Sequence, residues 1–428
     1  MDRRNFLAKA AGFTGTAVLS SFWGTAQGVQ FSAELASKEN RNPTQLATDE
    51  TYWEAIRKAF TVSEEIVNLN NGGASPQPKV VQDAVINYYR LANELPSYNL
   101  WRKIDGLREP LRTRLAALAG CKPTELAINR NATEGLETVI FGLPLKAGDE
   151  VVLCRYDYPS MIHAWDQRAH RDGIKLKWVE LDVPMHSGKS IIDRYISAIT
   201  PQTKLIHLTH IMNWTGQVIP VGKIGKLARK MGVEVMVDGA HSFSHIDFSV
   251  AKLHCDYFAT SLHKWLCAPF GTGFLYVRES KISKLYPMYA SLDPVGGEIQ
   301  KFEHLGTRSL GTEMGIAEAI DFQEMIGMER KAARLNYLRM VWMDALKDTP
   351  GIRILTSNKP NMSAGMGLLD IEKLDPAELH NTLFNKHQFL VSPVNYHQAR
   401  GIRVSPHIYT RINEMQRFIE TIQKIAAR

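Results

Sequence analysis

The sequence predicts an α/β fold in which helices cover both faces of a mainly parallel, seven-stranded sheet. Short apolar runs alternate with longer stretches of helical periodicity from about residue 50 onward, a pattern typical of α/β layer architectures. Several of the short runs are apolar at every position, as expected of strands buried on both faces. In chain order, the predicted strands are residues 126–129, 150–154, 175–179, 205–209, 233–237, 257–260 and 273–277.

Helices and domain boundaries follow from the same periodicity. One long helix is predicted over 311–346, and a mixed α and β segment follows from residue 352. We therefore expect a large domain over 49–295, and the long helix with a smaller C-terminal α+β domain over 296–428. Because the carboxyl ends of parallel strands meet at one edge of a sheet, ligand-binding residues are expected at that edge. The clearest helices between strands are predicted over 134–141, 160–171 and 221–231.

The N-terminus predicts an export signal rather than a part of the fold. An arginine pair at positions 3 and 4 precedes a weakly apolar stretch, and small residues follow it up to residue 26. This order is typical of a signal peptide, and the arginine pair resembles the twin-arginine signal of bacteria. An ordinary secretory signal or a chance basic start is the alternative. We expect a signal peptide over 1–26, a linker over 27–48, a periplasmic protein and no stable membrane insertion.

The composition excludes several classes of protein. The 428 residues are 44% hydrophobic and 22% charged, which excludes an intrinsically disordered chain. The net charge of +7 is spread over residues of both signs, so no surface for nucleic acid is predicted. The four cysteines show no metal-ligand spacing, and neither a metal site nor a disulfide framework is expected. They are Cys121, Cys154, Cys255 and Cys267.

Polar residues follow several predicted strands, where a ligand site is expected. Asp238 follows one strand directly, and Lys264 follows the next in an apolar neighbourhood, where burial lowers a lysine pKa. Residues 129–135 join a strand to a helix with small and polar side chains, which suits a phosphate. Taken singly, a helix cap, a surface lysine or a buried histidine explains each feature equally well. Together, an aspartate for a pyridinium nitrogen, a lysine for an aldehyde and a helix N-terminus for a phosphate describe pyridoxal phosphate (PLP).

The motifs that carry these residues resemble a known family. Residues 238–241 read Asp-Gly-Ala-His, and residues 261–273 read Ser-Leu-His-Lys-Trp-Leu-Cys-Ala-Pro-Phe-Gly-Thr-Gly. They are similar to motifs of the class-V aminotransferases, and the likeness runs from about residue 68 to residue 405. This family belongs to the fold-type I PLP-dependent enzymes, so the resemblance implies the fold of a fold-type I PLP-dependent transferase.

The resemblance implies roles around the reacting atoms. Lys264 would form a Schiff base with PLP and move protons at the substrate α-carbon. Asp238 would pair with the pyridine nitrogen, and His241 would lie near the phenolic oxygen. Tyr158 falls where the family stacks a ring on the cofactor, and it is the candidate for a second proton-transfer group.

The resemblance also implies how the phosphate is held. Thr133, the Glu134 backbone, Ser261 and His263 would bind it within one subunit. Thr307 corresponds to a residue that reaches the phosphate from a partner subunit. A homodimer with shared active sites is therefore expected.

Substrate-binding residues are implied in the same way. Asn213 matches an asparagine beside the cofactor and substrate. Arg403 matches the arginine that grips the substrate α-carboxylate through two parallel hydrogen bonds. Asn71 and Gly72 belong to a loop, 70–73, that resembles the family loop closing over the substrate.

The motifs most resemble those of the isopenicillin N epimerase-like subgroup. Desulfurases of the family carry a nucleophilic cysteine shortly before the carboxylate-binding arginine, whereas residues 386–394 contain no cysteine. We therefore expect an epimerase or aminotransferase that acts on a small amino acid or a peptide-like amine. The alternatives are a PLP-dependent C–S lyase, a periplasmic transaminase that tailors siderophores or peptides, and a non-catalytic periplasmic binding protein. A hydrolase built on Ser242 is disfavoured because no nucleophile-elbow glycines surround it.

Overall fold

The structure, a computed structural model, describes residues 41–427. The predicted signal peptide over 1–26, and the predicted linker over 27–48 up to residue 40, lie outside the described residues. The last residues of that linker are folded, since they form the short helix Pro43–Leu46 with Leu46 buried. None of the helices within 41–427 is long and apolar enough to cross a membrane.

A seven-stranded, mainly parallel sheet forms the larger layer of the fold. In space the strands follow the order β1-β7-β6-β5-β4-β2-β3, and only β7 runs antiparallel to its neighbours. Every predicted strand is present, with ends that shift by two residues at most, and the predicted fold class is confirmed. The strands are β1 (Leu126–Asn129), β2 (Glu150–Cys154), β3 (Lys175–Val179), β4 (Thr203–Thr209), β5 (Glu234–Asp238), β6 (Tyr257–Ser261) and β7 (Gly273–Val277).

The carboxyl ends of three central strands bring distant parts of the sequence together. Thr209 at the end of β4 pairs in register with Asp238 at the end of β5, and Asp238 pairs with Ala259 in β6. Neighbouring strands lie about 4.8 Å apart. The loops that follow β4, β5 and β6 therefore begin side by side.

A core of apolar side chains between the sheet and its helices fixes the position of this edge. Val151 and Leu153 of the sheet, and Leu136 and Trp165 of the covering helices, are at most 1% exposed. Burying one such side chain contributes about 1.5–3 kcal/mol. The strand ends that carry the polar residues are thus held by a rigid layer.

Helices of two or more turns cover the sheets. The helices predicted over 134–141, 160–171 and 221–231 correspond to α4, α5 and α7, each within two residues at either end. The set is α1 (Glu50–Arg57), α2 (Lys79–Glu94), α3 (Arg108–Ala119), α4 (Ala132–Gly142), α5 (Pro159–Asp172), α6 (Gly188–Ser197), α7 (Val221–Lys230), α8 (Leu310–Ile326), α9 (Met328–Leu346), α10 (Pro376–His387) and α11 (Ile412–Ala426).

The single long helix predicted over 311–346 is wrong, because the chain forms two helices there. α8 ends at Ile326 and α9 begins at Met328. Gly327 between them has φ +83° and ψ +140°, a conformation open to glycine and unfavourable for residues with a Cβ. The apolar periodicity continues through Gly327, which is why the sequence pattern did not reveal the break.

A second, antiparallel sheet of four strands lies in the C-terminal part of the chain. The N-terminal strand Val67–Asn68 pairs with Phe389–Leu390 of the C-terminal part, and Asn70 pairs with Ser405. The domain boundaries at 49–295 and 296–428 stay a prediction, but this pairing links residues 67–70 of the predicted large domain to the predicted C-terminal domain. The strands of the second sheet are β8 (Ile352–Ile354), β9 (Gly367–Ile371), β10 (Ser392–Tyr396) and β11 (Ala399–Val404).

Candidate active site

Lys264 lies in the loop after β6, and its amine faces a histidine from the loop after β5. Lys264 Nζ is 3.2 Å from Nε2 of His241. Burial lowers the pKa of Lys264 to about 8, against the opposing pull of the Asp238 carboxylate. Burial, and then the charges of Lys264 and Arg403, hold the pKa of His241 well below its usual range. At neutral pH the imidazole is therefore uncharged and beside a lysine that loses its proton readily.

Asp238 is the last residue of β5. Within the described residues, no cation forms a direct ion pair with its carboxylate. Its Oδ1 accepts a hydrogen bond of 2.9 Å from the backbone N–H of Ala240. Burial raises the pKa of Asp238, and the charges of His207 and Lys264 oppose that effect. A buried carboxylate is costly unless a cation or a protonated nitrogen meets it, so Asp238 is suited to a ligand that supplies one.

The N-terminus of α4 lies beside the loop after β6. The Asn131 side chain accepts a hydrogen bond of 2.9 Å from the N–H of Glu134 and caps the helix. Ser261 Oγ accepts a hydrogen bond of 2.9 Å from Ala132 N–H. Thr133 stands in this first turn, where the helix dipole favours an anion. The sequence named Thr133 and Glu134 here, but the capping residue is Asn131.

His263 stands one residue before Lys264 and is oriented by the backbone of the same loop. Its Nδ1 donates to the carbonyl oxygen of Thr272 over 3.2 Å. Because a carbonyl only accepts, this bond places the proton on Nδ1 and leaves Nε2 as an acceptor. Burial lowers the pKa of His263.

Arg403 in β11 presents a buried guanidinium next to the N-terminal loop. Its Nη1 donates to the carbonyl oxygen of Asn213 over 2.9 Å, and its Nη2 donates to Asn70 Oδ1 over 2.8 Å. Burial lowers the pKa of Arg403 to about 10, and no carboxylate within the described residues pairs with it. A Cβ at Gly72 would lie 3.2 Å from Arg403 Cζ, so glycine leaves the guanidinium its space.

The Asn71 side chain is engaged with the chain itself. Its Nδ2 donates to the carbonyl oxygen of Ser405 over 2.9 Å, and its Oδ1 accepts from the Tyr409 hydroxyl over 2.5 Å. The sequence named Asn71 and Gly72 as substrate-binding residues, which stays a prediction, and the loop residue whose side chain hydrogen-bonds to Arg403 is Asn70. The only sequence signal for Asn70 was its place in the Asn-Asn-Gly-Gly run.

Tyr158 and Thr307 lie in different surroundings. Tyr158 precedes α5 and is 42% exposed. Thr307 lines a surface cavity of about 420 Å³ with Trp101, Arg108 and His304. Within the described residues, no hydrogen bond joins the Thr307 side chain to the residues around Ser261.

A comparison with known families identifies the protein class. The family described as "Aminotransferase class-V" matches residues 67–418, which covers most of the chain. The chain belongs to the class-V aminotransferases. Isopenicillin N epimerases from Streptomyces clavuligerus and Amycolatopsis lactamdurans are 28% and 30% identical to it. These alignments cover 87% and 88% of this chain and 98% and 99% of the relatives.

A solved structure shares the class-V aminotransferase fold. It is a mutant of C-DES with glycine covalently linked to its PLP cofactor, and it matches with a TM-score of 0.79 and 23% identity. The match covers 86% of this chain and 98% of the C-DES chain. The family uses PLP, and PLP is the cofactor of this enzyme.

The residues of this class-V aminotransferase fit PLP. Asp238 is a buried carboxylate that lacks a directly paired cation, and His241 Nδ1 is buried with no hydrogen-bond partner in the described chain. The amine of Lys264 lies beside them, and the N-terminus of α4 is suited to a phosphate. Lys264, Asp238 and the first turn of α4 would hold the aldehyde, the pyridine nitrogen and the phosphate.

Sequence reasoning missed Asp157, a second buried carboxyl group behind the site. Asp157 Oδ1 accepts a hydrogen bond of 2.7 Å from the Thr209 hydroxyl, and Oδ2 accepts one of 2.7 Å from Cys154 N–H. These bonds fix the turn that leads into Tyr158. Burial raises the pKa of Asp157 to about 7. Its position next to Tyr158 in sequence gave no sign that it points into the core.

We expect Asp157→Asn to flatten the dependence of apoenzyme stability on pH. The folded-state pKa of about 7 is above the usual value, so the protonated carboxyl stabilises the fold at low pH. That contribution is lost as the pH rises through about 7, by an amount on the order of 1–4 kcal/mol. Asparagine keeps both hydrogen bonds, since Thr209 can accept from its amide. Urea unfolding near pH 5 and pH 8 measures the difference, and an equal loss of stability in both proteins would contradict it.

The pKa of Lys264 leads to a second expectation. Only the neutral amine attacks an aldehyde, so covalent attachment of PLP to the apoenzyme should accelerate as the pH rises through about 8. For a lysine with the usual pKa, the same acceleration would come only at about pH 10.4. Stopped-flow absorbance between about pH 6 and pH 10 gives the midpoint. A rate that rises only above about pH 10 would show that Lys264 is not desolvated.

Proposed function

We propose that this enzyme uses PLP to change the configuration at the α-carbon of an amino acid or a peptide-like amine. The observation that carries the proposal is the buried guanidinium of Arg403, which lacks a carboxylate partner within the described residues. Its charge acts on both Lys264 and His241, so it belongs to the same site. The names of the epimerase relatives agree with a reaction at the α-carbon.

Arg403 is suited to the substrate α-carboxylate because its surroundings fix its direction without neutralising it. The backbone of Asn213 and the side chain of Asn70 each take one N–H, and Nε is left without a partner in the described chain. A guanidinium pairs with a carboxylate through two parallel charge-assisted hydrogen bonds, each roughly twice as strong as a neutral one. A carboxylate bound there would be held near the amine of Lys264.

The proton transfers fall to the side chains around that amine. When bound, PLP withdraws electrons from the substrate and makes its α-proton acidic. With its lowered pKa, Lys264 can take the α-proton at neutral pH and return it. The neutral imidazole of His241 can accept a hydrogen bond from the Lys264 ammonium. Inversion needs a second group on the opposite face, and Tyr158 is our candidate for it.

Exchange with heavy water tests this proposal. The holoenzyme is incubated in D₂O with L-amino acids and with peptide-like compounds that carry a free α-amine and α-carboxylate. Epimerisation predicts one deuterium at the α-carbon and appearance of the D-isomer, read by mass spectrometry and chiral chromatography. A keto acid formed only with a second amino acceptor would instead identify amino transfer. Release of a β-substituent would identify a lyase.

The cysteines argue against sulfur transfer through a persulfide. Cys267 follows Lys264 most closely in sequence, but its buried thiol faces His407 over 3.5 Å. Burial raises the pKa of the Cys267 thiol to about 11, which keeps it protonated and unreactive. Cys154 and Cys255 are buried as well.

We also propose that the enzyme is a homodimer in which Thr307 completes the partner's phosphate site. A large apolar side chain near this residue, Trp101, is 56% exposed. Trp101 lines the same surface cavity as Thr307. Aromatic residues such as tryptophan are enriched at subunit interfaces relative to the rest of a protein surface.

Subunit mixing distinguishes a site that both subunits build from a site that one subunit builds alone. Homodimers of Lys264→Ala and of Thr307→Ala are each expected to be impaired. If Thr307 acts on the partner's site, a mixed dimer contains one site with both residues intact, and activity returns. If Thr307 serves its own subunit, every site in the mixture keeps a defect and no activity returns. A monomer by sedimentation would overturn the proposal.

Export to the periplasm is our proposal for the cellular location. It is supported by the arginine pair at positions 3 and 4 and the weakly apolar stretch after it. Replacing both arginines by lysine should leave the enzyme in the cytoplasm with residues 1–26 attached. Cell fractionation of the two proteins, with mass spectrometry of the N-terminus, tests this directly. Equal distribution of both would contradict it.

A further inference from the structure

A buried lysine outside the proposed chemistry contacts the turn that carries Lys264. Lys331 in α9 is 2% exposed. Its Nζ donates to the carbonyl oxygen of Trp265, the residue after Lys264, and over 2.7 Å to Gln323 Oε1 in α8. Burial lowers its pKa to about 8, and no carboxylate within the described residues forms an ion pair with it. A buried ammonium without a carboxylate partner is costly and needs a reason.

The turn that Lys331 contacts is strained. Cys267 N–H donates to the carbonyl oxygen of Lys264 over 3.2 Å and closes the turn. Cys267 has φ +60°, a left-handed conformation that is unfavourable for a residue with a Cβ. Such a conformation persists only where surrounding contacts hold it.

Two imidazoles hold the Trp265 ring within this turn. His245 stacks on one part of it with ring centroids 3.6 Å apart, and His407 stacks with centroids 5.5 Å apart and an interplanar angle of 10°. His245 Nδ1 donates to the carbonyl oxygen of His241 over 2.8 Å, while its Nε2 accepts from Gly365 N–H over 2.8 Å. This pair of bonds fixes one neutral tautomer of His245. It also ties the loop of His241 to the ring next to Lys264.

The neighbours of Lys331 are uncharged at neutral pH. Burial lowers the pKa of His245 to about 3 and that of His407 well below its usual range. Burial raises the pKa of Cys267 to about 11. Of Lys331, His245, His407 and Cys267, only Lys331 is therefore ionised at neutral pH, and its positive charge strengthens the hydrogen bond to the Trp265 carbonyl.

We propose that Lys331 is a positioning residue that clamps the Trp265 carbonyl and thereby fixes where the Lys264 amine lies relative to His241. Lys331 does not touch the reacting atoms. Its effect reaches Lys264 through the backbone of Trp265. His245 stacks on the Trp265 ring and bonds to the backbone of His241, so it keeps Trp265, and with it Lys264, close to His241. This inference rests on the proposed role of Lys264 as the residue that bonds the PLP aldehyde.

The test compares Lys331→Met with Arg339→Met, a matched change on the same helix. Arg339 is 3% exposed and donates over 3.2 Å to the carbonyl oxygen of Ser357, so its loss also removes a buried cation and a carbonyl contact. The readouts are the rate of covalent PLP attachment to the apoenzyme and the affinity for pyridoxine 5'-phosphate. That analogue has no aldehyde and reports on the rest of the site.

For Lys331→Met we expect covalent attachment to slow by about tenfold or more, the value of a lost charge-assisted hydrogen bond. Affinity for pyridoxine 5'-phosphate should stay within about twofold, since Lys331 does not contact the phosphate site. Arg339→Met should leave both quantities near the wild-type values. If both quantities fall together for Lys331→Met, or if neither falls, the proposal is overturned.

A second variant covers the case in which Lys331→Met does not fold. Lys331→Gln keeps a donor but removes the charge, so a smaller slowing of attachment is expected, and an unchanged rate overturns the proposal. The wild-type enzyme separates this inference from the proposed function. If borohydride fails to trap PLP on Lys264 in the wild type, the proposed function fails. If borohydride traps PLP on Lys264 in the wild type and the Lys331 variants behave like the wild type, only the proposed positioning role of Lys331 fails.

Discussion

Replacing Lys264 by alanine is expected to lower kcat by about 10⁴-fold. In the proposed mechanism the change removes the amine that moves protons at the α-carbon, a contribution of about 10²–10⁴-fold, together with the covalent bond to the cofactor. PLP should still bind through Asp238 and the N-terminus of α4, because neither depends on the amine. The variant should therefore retain PLP that borohydride cannot attach to the protein. Turnover of a substrate whose α-proton exchanges in D₂O measures the loss of kcat. Absorbance spectra before and after borohydride reduction show whether PLP is bound and whether it becomes attached to the protein.

Lys226→Ala is the matched control for that experiment. Lys226 is an exposed lysine of α7, so its loss removes the same side chain without touching the site. It should keep wild-type turnover and full trapping of PLP. If Lys264→Ala retained turnover within about tenfold of the wild type, another group would have to move the α-proton.

Replacing Arg403 by glutamine is expected to lower kcat/KM by about 30- to 5,000-fold, which corresponds to about 2–5 kcal/mol of lost interaction with the substrate carboxylate. Arg403→Lys should recover little of this, because an ammonium cannot form the two parallel bonds of a guanidinium. Steady-state kinetics on an amino acid and on the matching amine without its carboxylate measure the effect. The amine should react slowly with both proteins and lose no further rate in the variant.

Arg353→Gln serves as the control for Arg403. Arg353 lies on the neighbouring part of the same small sheet, pairs with Asp370 and has a side chain that is 52% exposed. We expect the kcat/KM of Arg353→Gln to stay near the wild-type value. A loss in Arg403→Gln that is equal for the amino acid and the amine would show that Arg403 acts on the fold and not on the carboxylate.

The sequence predicted the parts of the site that are continuous along the chain. Asp238 and Lys264 each follow a strand in a recognisable motif, and parallel strands bring their ends together by geometry alone. Residues that act across the fold were not predictable in this way. Asn70 contacts Arg403 from 333 positions away, and Lys331 reaches Trp265 across 66 positions. Nothing local to either residue indicates such a contact.

Local patterns also failed where one residue changes the backbone direction. Asp157 stands between two tyrosines, and only the turn geometry directs its carboxyl group into the core. Gly327 separates α8 from α9 although apolar periodicity continues on both sides. In both cases the side-chain pattern agrees with two backbone paths, and packing selects one of them.

The pairing of residues 67–70 with the C-terminal part of the fold sets the order in which the site can be built during synthesis. Val67–Asn68 needs Phe389–Leu390 as its neighbour, and Asn70 needs Arg403. Ribosomes add roughly 5–20 residues per second, so Asn70 waits roughly 15–70 s for its partner. A nascent chain that stops before residue 389 already contains Lys264, Asp238 and the whole seven-stranded sheet. It can offer a place for the cofactor, but the contact between Asn70 and Arg403, where we propose that the substrate carboxylate binds, forms only after residue 403 has been added.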